Sequence, residues 1–235
     1  MLRQYETVLF DFGGTLDADG EAWKERVHRQ YRAENLDTNA ETFDSLFYAA
    51  DDGLVGTLPR EADLEATVGQ LMANLEAQLV RHAMADDETR AKRTAARFLA
   101  EASASFERNR PLLQILGERY RLGVVSNFYG NLEAVCRGAG LAPFFAVMVD
   151  SQRVGVEKPD PAIFRAALGP LGATPERTVL VGDSLRRDRE GARRMGMNFI
   201  WIAPKDVQQA ETRNGKAPLD HPAVVRFRQL AEILT

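Results

Sequence analysis

Thr7-Val-Leu-Phe-Asp11-Phe-Gly-Gly-Thr15-Leu16 opens with four residues that are β-branched or large and apolar, and then turns abruptly polar and glycine-rich. A strand that alternates would leave one face to water, whereas this run is apolar on both faces, as a strand of a covered parallel sheet must be. Four later stretches share the texture: Leu122-Gly-Val-Val-Ser-Asn127, Phe145-Ala-Val-Met-Val-Asp150, Thr178-Val-Leu-Val-Gly-Asp183 and Asn198-Phe-Ile-Trp-Ile202. Helical periodicity is predicted between and after them, at about 131–139, 160–170, 187–195 and 224–234. That strand–helix rhythm specifies an α/β fold with a doubly wound parallel sheet.

Residues 19–107 break the rhythm. They contain no comparable strand, and Leu64, Val68, Leu71, Leu75 and Leu79 recur at helical spacing in a background rich in Ala, Leu, Glu and Arg. Gly53, Gly56 and Pro59 punctuate this stretch, so two helical pairs separated by a turn are expected. The predicted organisation is an α/β core from residues 1–18 and 108–235, with an inserted all-helical unit over 19–107. The insert carries 18 acidic and 10 basic side chains, which leaves 16 acidic and 20 basic for the remainder. A positive balance on the sheet domain suits an anionic ligand.

Composition narrows the classes of function. With 45% hydrophobic and 27% charged residues over 235 positions, the chain has the makeup of a globular protein and not of a disordered one. No apolar run approaches the ~20 residues of a spanning helix, and residues 1–6 lead into the first strand without a signal-like segment, so no membrane association and a cytoplasmic location are expected. Cys136 is the single cysteine, which excludes an internal disulfide; its helical setting reads as a small buried hydrophobe rather than as a thiol nucleophile with His28, His82 or His221. Arg186, Arg187, Arg189, Arg193 and Arg194 cluster, but acidic Asp188 and Glu190 interleave with them and no aromatics do, so a solvated helix face is expected and not a nucleic-acid surface.

In a parallel sheet, ligands gather beyond the carboxyl ends of the strands. Reading each strand to its end collects Asp11, Ser126 with Asn127, Asp150 with Ser151, and Asp183 with Ser184, while Lys158 follows the third strand by a short loop. Among these, the carboxylates of Asp11 and Asp183, the Ser126 hydroxyl, the Asn127 amide and the Lys158 ammonium at one edge suit a hard cation beside a phosphoryl group. Gly13 and Gly14 permit a sharp exit from the first strand and expose backbone N–H groups to an anion. A carboxylate at Asp11 can act as a nucleophile and form a covalent intermediate. Taken singly, each residue has a plainer reading: Asp183 with Ser184 could cap a helix, and Lys158 before Pro159 could be a loop lysine.

Val8-Leu-Phe-Asp11-Phe-Gly-Gly-Thr15-Leu, Val124-Val-Ser126-Asn127, Val154-Gly-Val-Glu-Lys158-Pro-Asp-Pro-Ala-Ile-Phe164 and Val181-Gly-Asp183-Ser-Leu-Arg-Arg-Asp188 together resemble the four ordered motifs of the haloacid dehalogenase-like hydrolase superfamily. The resemblance implies a Rossmann-like core with a helical cap between the first and second motifs. It implies Asp11 as the nucleophile, Ser126 and Lys158 as catalytic groups that hold the transferring phosphoryl group, and Gly13, Gly14 and Asn127 as substrate contacts. It further implies Mg²⁺ bound by Asp11, the Gly13 carbonyl and Asp183, with Thr15, Ser184 and Asp188 in support. The implied activity is hydrolysis of a small phosphorylated metabolite through an aspartyl-phosphate.

One position departs from the pattern. Phosphatases of the superfamily carry a second aspartate two residues after the nucleophile as general acid and base, where this chain has Gly13. Such a group is typically worth about 10²- to 10⁴-fold. Asp17, Asp19 and His28 are the nearest candidates to replace it. The departure keeps alternatives open: a catalytically weak protein that binds a phosphorylated ligand or partner, or a relative with dehalogenase or phosphonatase chemistry. Against the last, the fourth motif looks metal-binding, and the only insert lysines, Lys24 and Lys92, lie in no phosphonatase-like motif.

Overall fold

A computed structural model of the chain describes residues 5–36, 38–82, 87–213 and 221–234, so Met1 to Gln4, read above for a leader, lie outside the described residues. Six parallel strands form one sheet: β1 (Thr7–Phe10), β2 (Arg121–Ser126), β3 (Val147–Asp150), β4 (Thr178–Gly182), β5 (Asn198–Ile202) and β6 (Ala223–Val224). Their order is β3-β2-β1-β4-β5-β6. Chain order reverses direction at β1, and the crevice beyond the β1 and β4 carboxyl ends is the switch point where such sheets bind ligands. Val8 and Phe10 face one buried layer and Leu9 the other. The doubly covered sheet expected from the apolar runs is therefore what forms.

Between β1 and β2 lie α1 (Trp23–Ala33), α2 (Ala40–Asp52), α3 (Leu64–Arg81) and α4 (Glu88–Gly117). Asn39 and Asp63 cap α2 and α3 by accepting from Thr42 and Ala66 backbone N–H groups, which fixes where each helix starts. Trp23, Val27, Gln30 and Tyr31 share the buried face of α1, and Val68, Leu71, Met72, Leu75 and Leu79 that of α3. α4 has 30 residues, with Pro111 inside it, and runs on from the insert to the sheet, where Leu113 and Leu116 join the same buried cluster as Leu122 and Val124 of β2. The boundary drawn at 107/108 from sequence falls within this helix.

Among the described residues, the remaining α-helices are α5 (Leu132–Gly138), α6 (Ser151–Val154), α7 (Pro161–Leu171), α8 (Glu190–Met195), α9 (Lys205–Arg213) and α10 (Leu230–Leu234). α7 and α8 cover the second face through Ile163, Phe164, Ala167 and Ala192. α7 starts at capping Asp160 with Pro161 in its first turn and stops at left-handed Gly172. Two segments differ from the sequence reading. The single helix expected over 224–234 is instead β6, a short turn and α10, because Ala223 and Val224 pair with Trp201 and Ile202 of β5. Phe227 then packs against Phe10 in a tilted pair with centroids 5.6 Å apart, and burying such a ring contributes about 1.5–3 kcal/mol. α9 has no counterpart in the sequence pattern, since none of its residues is buried and no apolar stripe announces it. No described helix is long and apolar enough to cross a membrane.

Candidate active site

The strand ends deliver Asp11, Ser126 and Asp183 to one crevice, and Lys158 reaches it from the loop before α7. Asp11 Oδ1 accepts from the Phe12 N–H at 2.7 Å and from the Ser126 hydroxyl at 2.8 Å, and lies 2.8 Å from Lys158 Nζ. Three donors on one oxygen fix the carboxylate and direct Oδ2 away from them. Lys158 Nζ also donates to Asp188 Oδ1 at 2.7 Å. Burial by itself would lower the Lys158 ammonium, but Asp11 and Asp188 outweigh it and hold the group above its usual range.

Thr15 Oγ1 donates to Asp183 Oδ1 at 3.3 Å, and the Trp201 indole donates to the Asp183 carbonyl at 2.9 Å, so the turn after β1 and strand β5 together set the position of Asp183. Burial, with repulsion from Asp11 and Asp188, pushes the Asp183 carboxyl well above the ordinary carboxylate range. One oxygen each from Asp11, Asp183 and Asp188 lies within 4.8 Å of the others. Three carboxylates around one ammonium leave the cluster negative, and an all-oxygen donor set of this kind suits a hard divalent cation. The acidic cluster is thus one that could bind a metal ion.

The other predicted residues have definite places. Ser184 caps the turn after β4, accepting from the Arg187 N–H at 3.1 Å, while its own N–H donates to Asp188 Oδ2 at 3.0 Å. Asn127 lines the crevice, and its amide grips Lys158: Oδ1 accepts from the Lys158 N–H at 2.8 Å, and Nδ2 donates to the Lys158 carbonyl at 3.3 Å. Its visible work is to orient Lys158. Gly14 departs from the reading that its N–H faces an anion, because that N–H donates to Asp17 Oδ1 at 2.7 Å. Gly14 has φ +83°, and a Cβ there would stand 2.7 Å from Asp183 Oδ2. What it supplies is a close backbone approach to Asp183. Gly13 lines the crevice.

Sequence reasoning missed what lies over Gly13. The Trp23 indole sits there, its N–H donating to Asp17 Oδ2 at 2.7 Å, and Arg26 donates to the same oxygen at 3.0 Å and to the Asp17 carbonyl at 2.9 Å. Asp17 is fully buried; desolvation raises its carboxyl despite the help of Arg26 and these hydrogen bonds. The Arg26 guanidinium in turn lies 3.4 Å from the Phe98 ring centroid. A second unforeseen contact joins the insert to the core: the Tyr129 hydroxyl donates to Asp51 of α2, and burial raises both groups. Neither contact has a motif; only the fold brings residues 51 and 129 together.

The sequence profile of the haloacid dehalogenase-like hydrolases matches residues 5–196. Among individual proteins, the chain is 36% identical over 125 residues to a glyceraldehyde 3-phosphate phosphatase of Methanothermobacter thermautotrophicus, covering 52% of this chain and 55% of that one. It is 45% identical over 65 residues to a phosphoserine phosphatase of Thermus thermophilus, covering 28% of this chain and 26% of that one. The matches therefore span about half of the first relative and about a quarter of the second. A solved HAD-hydrolase, YfnB from Bacillus subtilis bound to magnesium, shares the fold with a TM-score of 0.58 at 22% identity, over 98% of this chain and 99% of that one.

Proposed function

This chain belongs to the haloacid dehalogenase-like hydrolases, and on that premise we propose that it is a Mg²⁺-dependent phosphatase that cleaves a small phosphate monoester through an aspartyl-phosphate on Asp11. The observation that carries the proposal is the bridging of Asp11 and Asp188 by the buried Lys158 ammonium, with Ser126 on the same Asp11 oxygen. A carboxylate held in that way is oriented for in-line attack, and the ammonium and hydroxyl that hold it are within reach of an incoming phosphoryl group. The phosphatase names of two relatives support the same reading.

Asp11 attacks phosphorus as the bond to the ester oxygen breaks and that oxygen takes the electron pair; water then attacks phosphorus, and the acyl–phosphate link opens to restore the carboxylate. Lys158 balances charge on Asp11 and the substrate, Ser126 donates to a nonbridging oxygen, and Asn127 keeps Lys158 in place. Asp11, the Gly13 carbonyl and Asp183 would hold Mg²⁺, with Thr15, Ser184 and Asp188 in support. Once bound, the ion neutralises the repulsion between carboxylate and phosphoryl oxygens. Residues 19–107 act as a cap that recognises substrate and excludes water, a role supported by the crevice having walls from both the insert and the strand ends. The partner is a small phosphorylated metabolite in the cytoplasm.

Gly13 favours a second reading, a weak catalyst that binds a phosphorylated ligand in the same crevice. Purified protein assayed with Mg²⁺ and p-nitrophenyl phosphate separates the two. Metal-dependent turnover that Asp11→Asn abolishes supports the phosphatase; phosphate binding without turnover sinks it.

A further inference from the structure

The place where an acid two residues beyond Asp11 would project is filled. A Cβ on Gly13 would stand 3.1 Å from Trp23 Nε1 and 3.3 Å from its Cδ1. The indole is pinned by its bond to Asp17 and by edge contacts with Phe98 at 5.0 Å and Phe128 at 6.0 Å. The sequence-near substitutes are committed elsewhere. Asp17 is fully buried beneath the indole and takes no part in lining the crevice. Asp19 does line the crevice, but its Oδ1 accepts from the Phe227 N–H at 2.9 Å and its Oδ2 lies 3.6 Å from Arg108. His28 stacks on Phe43 at 4.3 Å, away from the crevice lining.

The crevice itself is about 1050 Å³ and holds Asp11 together with Trp23, Phe47, Tyr48, Phe128 and Tyr129. Trp23, Phe128 and Tyr129 are in mutual ring contact, with centroids 4.8 to 6.4 Å apart, so the wall next to Gly13 is continuous and aromatic. Tyr48, 46% exposed, also lines the crevice, in edge contact with Phe47 at 5.9 Å and with Lys24 Nζ 5.7 Å from its ring centroid. A wall of that kind recognises a flat, unsaturated group by stacking and edge contact.

From these two observations we propose that the preferred substrate is a phosphate carried on an unsaturated carbon, an aryl or enol phosphate, whose oxygen leaves without a proton; the proposal rests on the phosphatase reading above. In the first step Asp11 forms the bond to phosphorus, and the phosphorus–oxygen bond breaks with its electron pair leaving on a phenolate or enolate. In the second, water attacks phosphorus, both its protons stay with the product as H₂PO₄⁻, and the Asp11 carboxylate is restored. A phenol ionises at about 10, as tyrosine does, whereas an aliphatic hydroxyl, like water, holds its proton far above that. Only the first departs readily as the anion. Where the indole has displaced the acid, the aromatic wall selects esters that do not need one.

The test is a series of phosphate esters spanning leaving-oxygen acidity, from nitrophenyl and phenyl phosphate to phosphoserine and glyceraldehyde 3-phosphate, assayed with Mg²⁺ in the full chain and in Asp11→Asn. We expect kcat/KM for phenyl phosphate at least ~100-fold above the alkyl esters, in line with the worth of an absent acid. Tyr48→Ala should raise KM for phenyl phosphate and leave inhibition by inorganic phosphate unchanged. Aryl and alkyl esters within tenfold of one another would overturn the proposal and leave the phosphatase reading standing. So would alkyl turnover that Asp51→Asn removes, since Asp51 would then be delivering the proton. No Asp11-dependent turnover of any ester would bring down both.

Discussion

Lys158 Nζ lies 2.7 Å from Asp188 Oδ1, and the two side chains expose 1% and 0% of their surface. Removing one member of a buried pair leaves the other charged without a partner, at a cost of about 3–5 kcal/mol. Lys158→Met should therefore lower urea stability by about that amount and activity on p-nitrophenyl phosphate by at least ~10²-fold. Wild-type stability in the variant would contradict the pairing.

Gly14 is held at φ +83° with Asp183 Oδ2 at 2.7 Å from an added Cβ. Gly14→Ala should cost about 1–3 kcal/mol from the backbone alone. It should also displace Asp183, so that calorimetric titration with Mg²⁺ gives weaker binding than in the wild type. Unchanged affinity would show that Asp183 is not among the ligands.

For Gly13→Asp the backbone is permissive, but the indole must give way, first by a few tenths of an ångström for the Cβ and then further for the carboxyl. Stability should fall by about 1–3 kcal/mol, as for other overpacked sites. The single variant should gain little on alkyl phosphates, and Gly13→Asp combined with Trp23→Ala should gain more. A thermal melt of the single variant equal to wild type would rule out the steric account.

Asp17 and Arg26 form a pair exposed to 0% and 1% at 3.0 Å. Arg26→Met should cost about 3–5 kcal/mol, and Arg26→Met with Asp17→Asn should cost less than the sum of the single changes. Additive losses in a double-mutant cycle by urea unfolding would show that the two residues act separately.

What could be read from sequence was whatever the backbone enforces locally. β1, β4 and β5 are apolar on both faces because the sheet is covered on both sides, and each motif residue sits at or just beyond the end of a strand or the following loop. Asp11, Ser126 and Asp183 are therefore legible as neighbours from the strand pattern alone. Tertiary effects were not. The 223–234 segment has helical spacing at Phe227, Leu230 and Leu234, but an open edge of β5 captured its first two residues. Trp23 carries no mark that distinguishes it from Phe43 or Phe47; only the turn after Asp11, tied by Asp17, brings its ring over Gly13. Asn127 enters as a substrate contact only through the family resemblance; its bonds to the Lys158 backbone, made while it lines the crevice, come from the fold.

Cys136 is fully buried in α5, and burial, with Glu133 nearby, pushes its thiol from 9.0 up to about 12. The folded chain should therefore resist thiol reagents at pH 8 that label it promptly in urea. The sign for stability follows: between those two values the folded state keeps a proton that the unfolded state loses, so stability falls as pH rises from about 9. Cys136→Ala removes this dependence. Urea midpoints of wild type and variant that stay parallel from pH 8 to 10 would contradict it.

α4 carries a longer consequence. At 1.5 Å per residue its 30 residues form a rod about 45 Å long, with one end among the insert helices and the other seated under β2. Tilt at either end is transmitted to the other unless the rod bends, and Pro111 is its one built-in weak joint, since its ring nitrogen cannot complete the hydrogen-bond ladder. Stiffening that joint with Pro111→Ala would couple the two halves of the molecule more tightly.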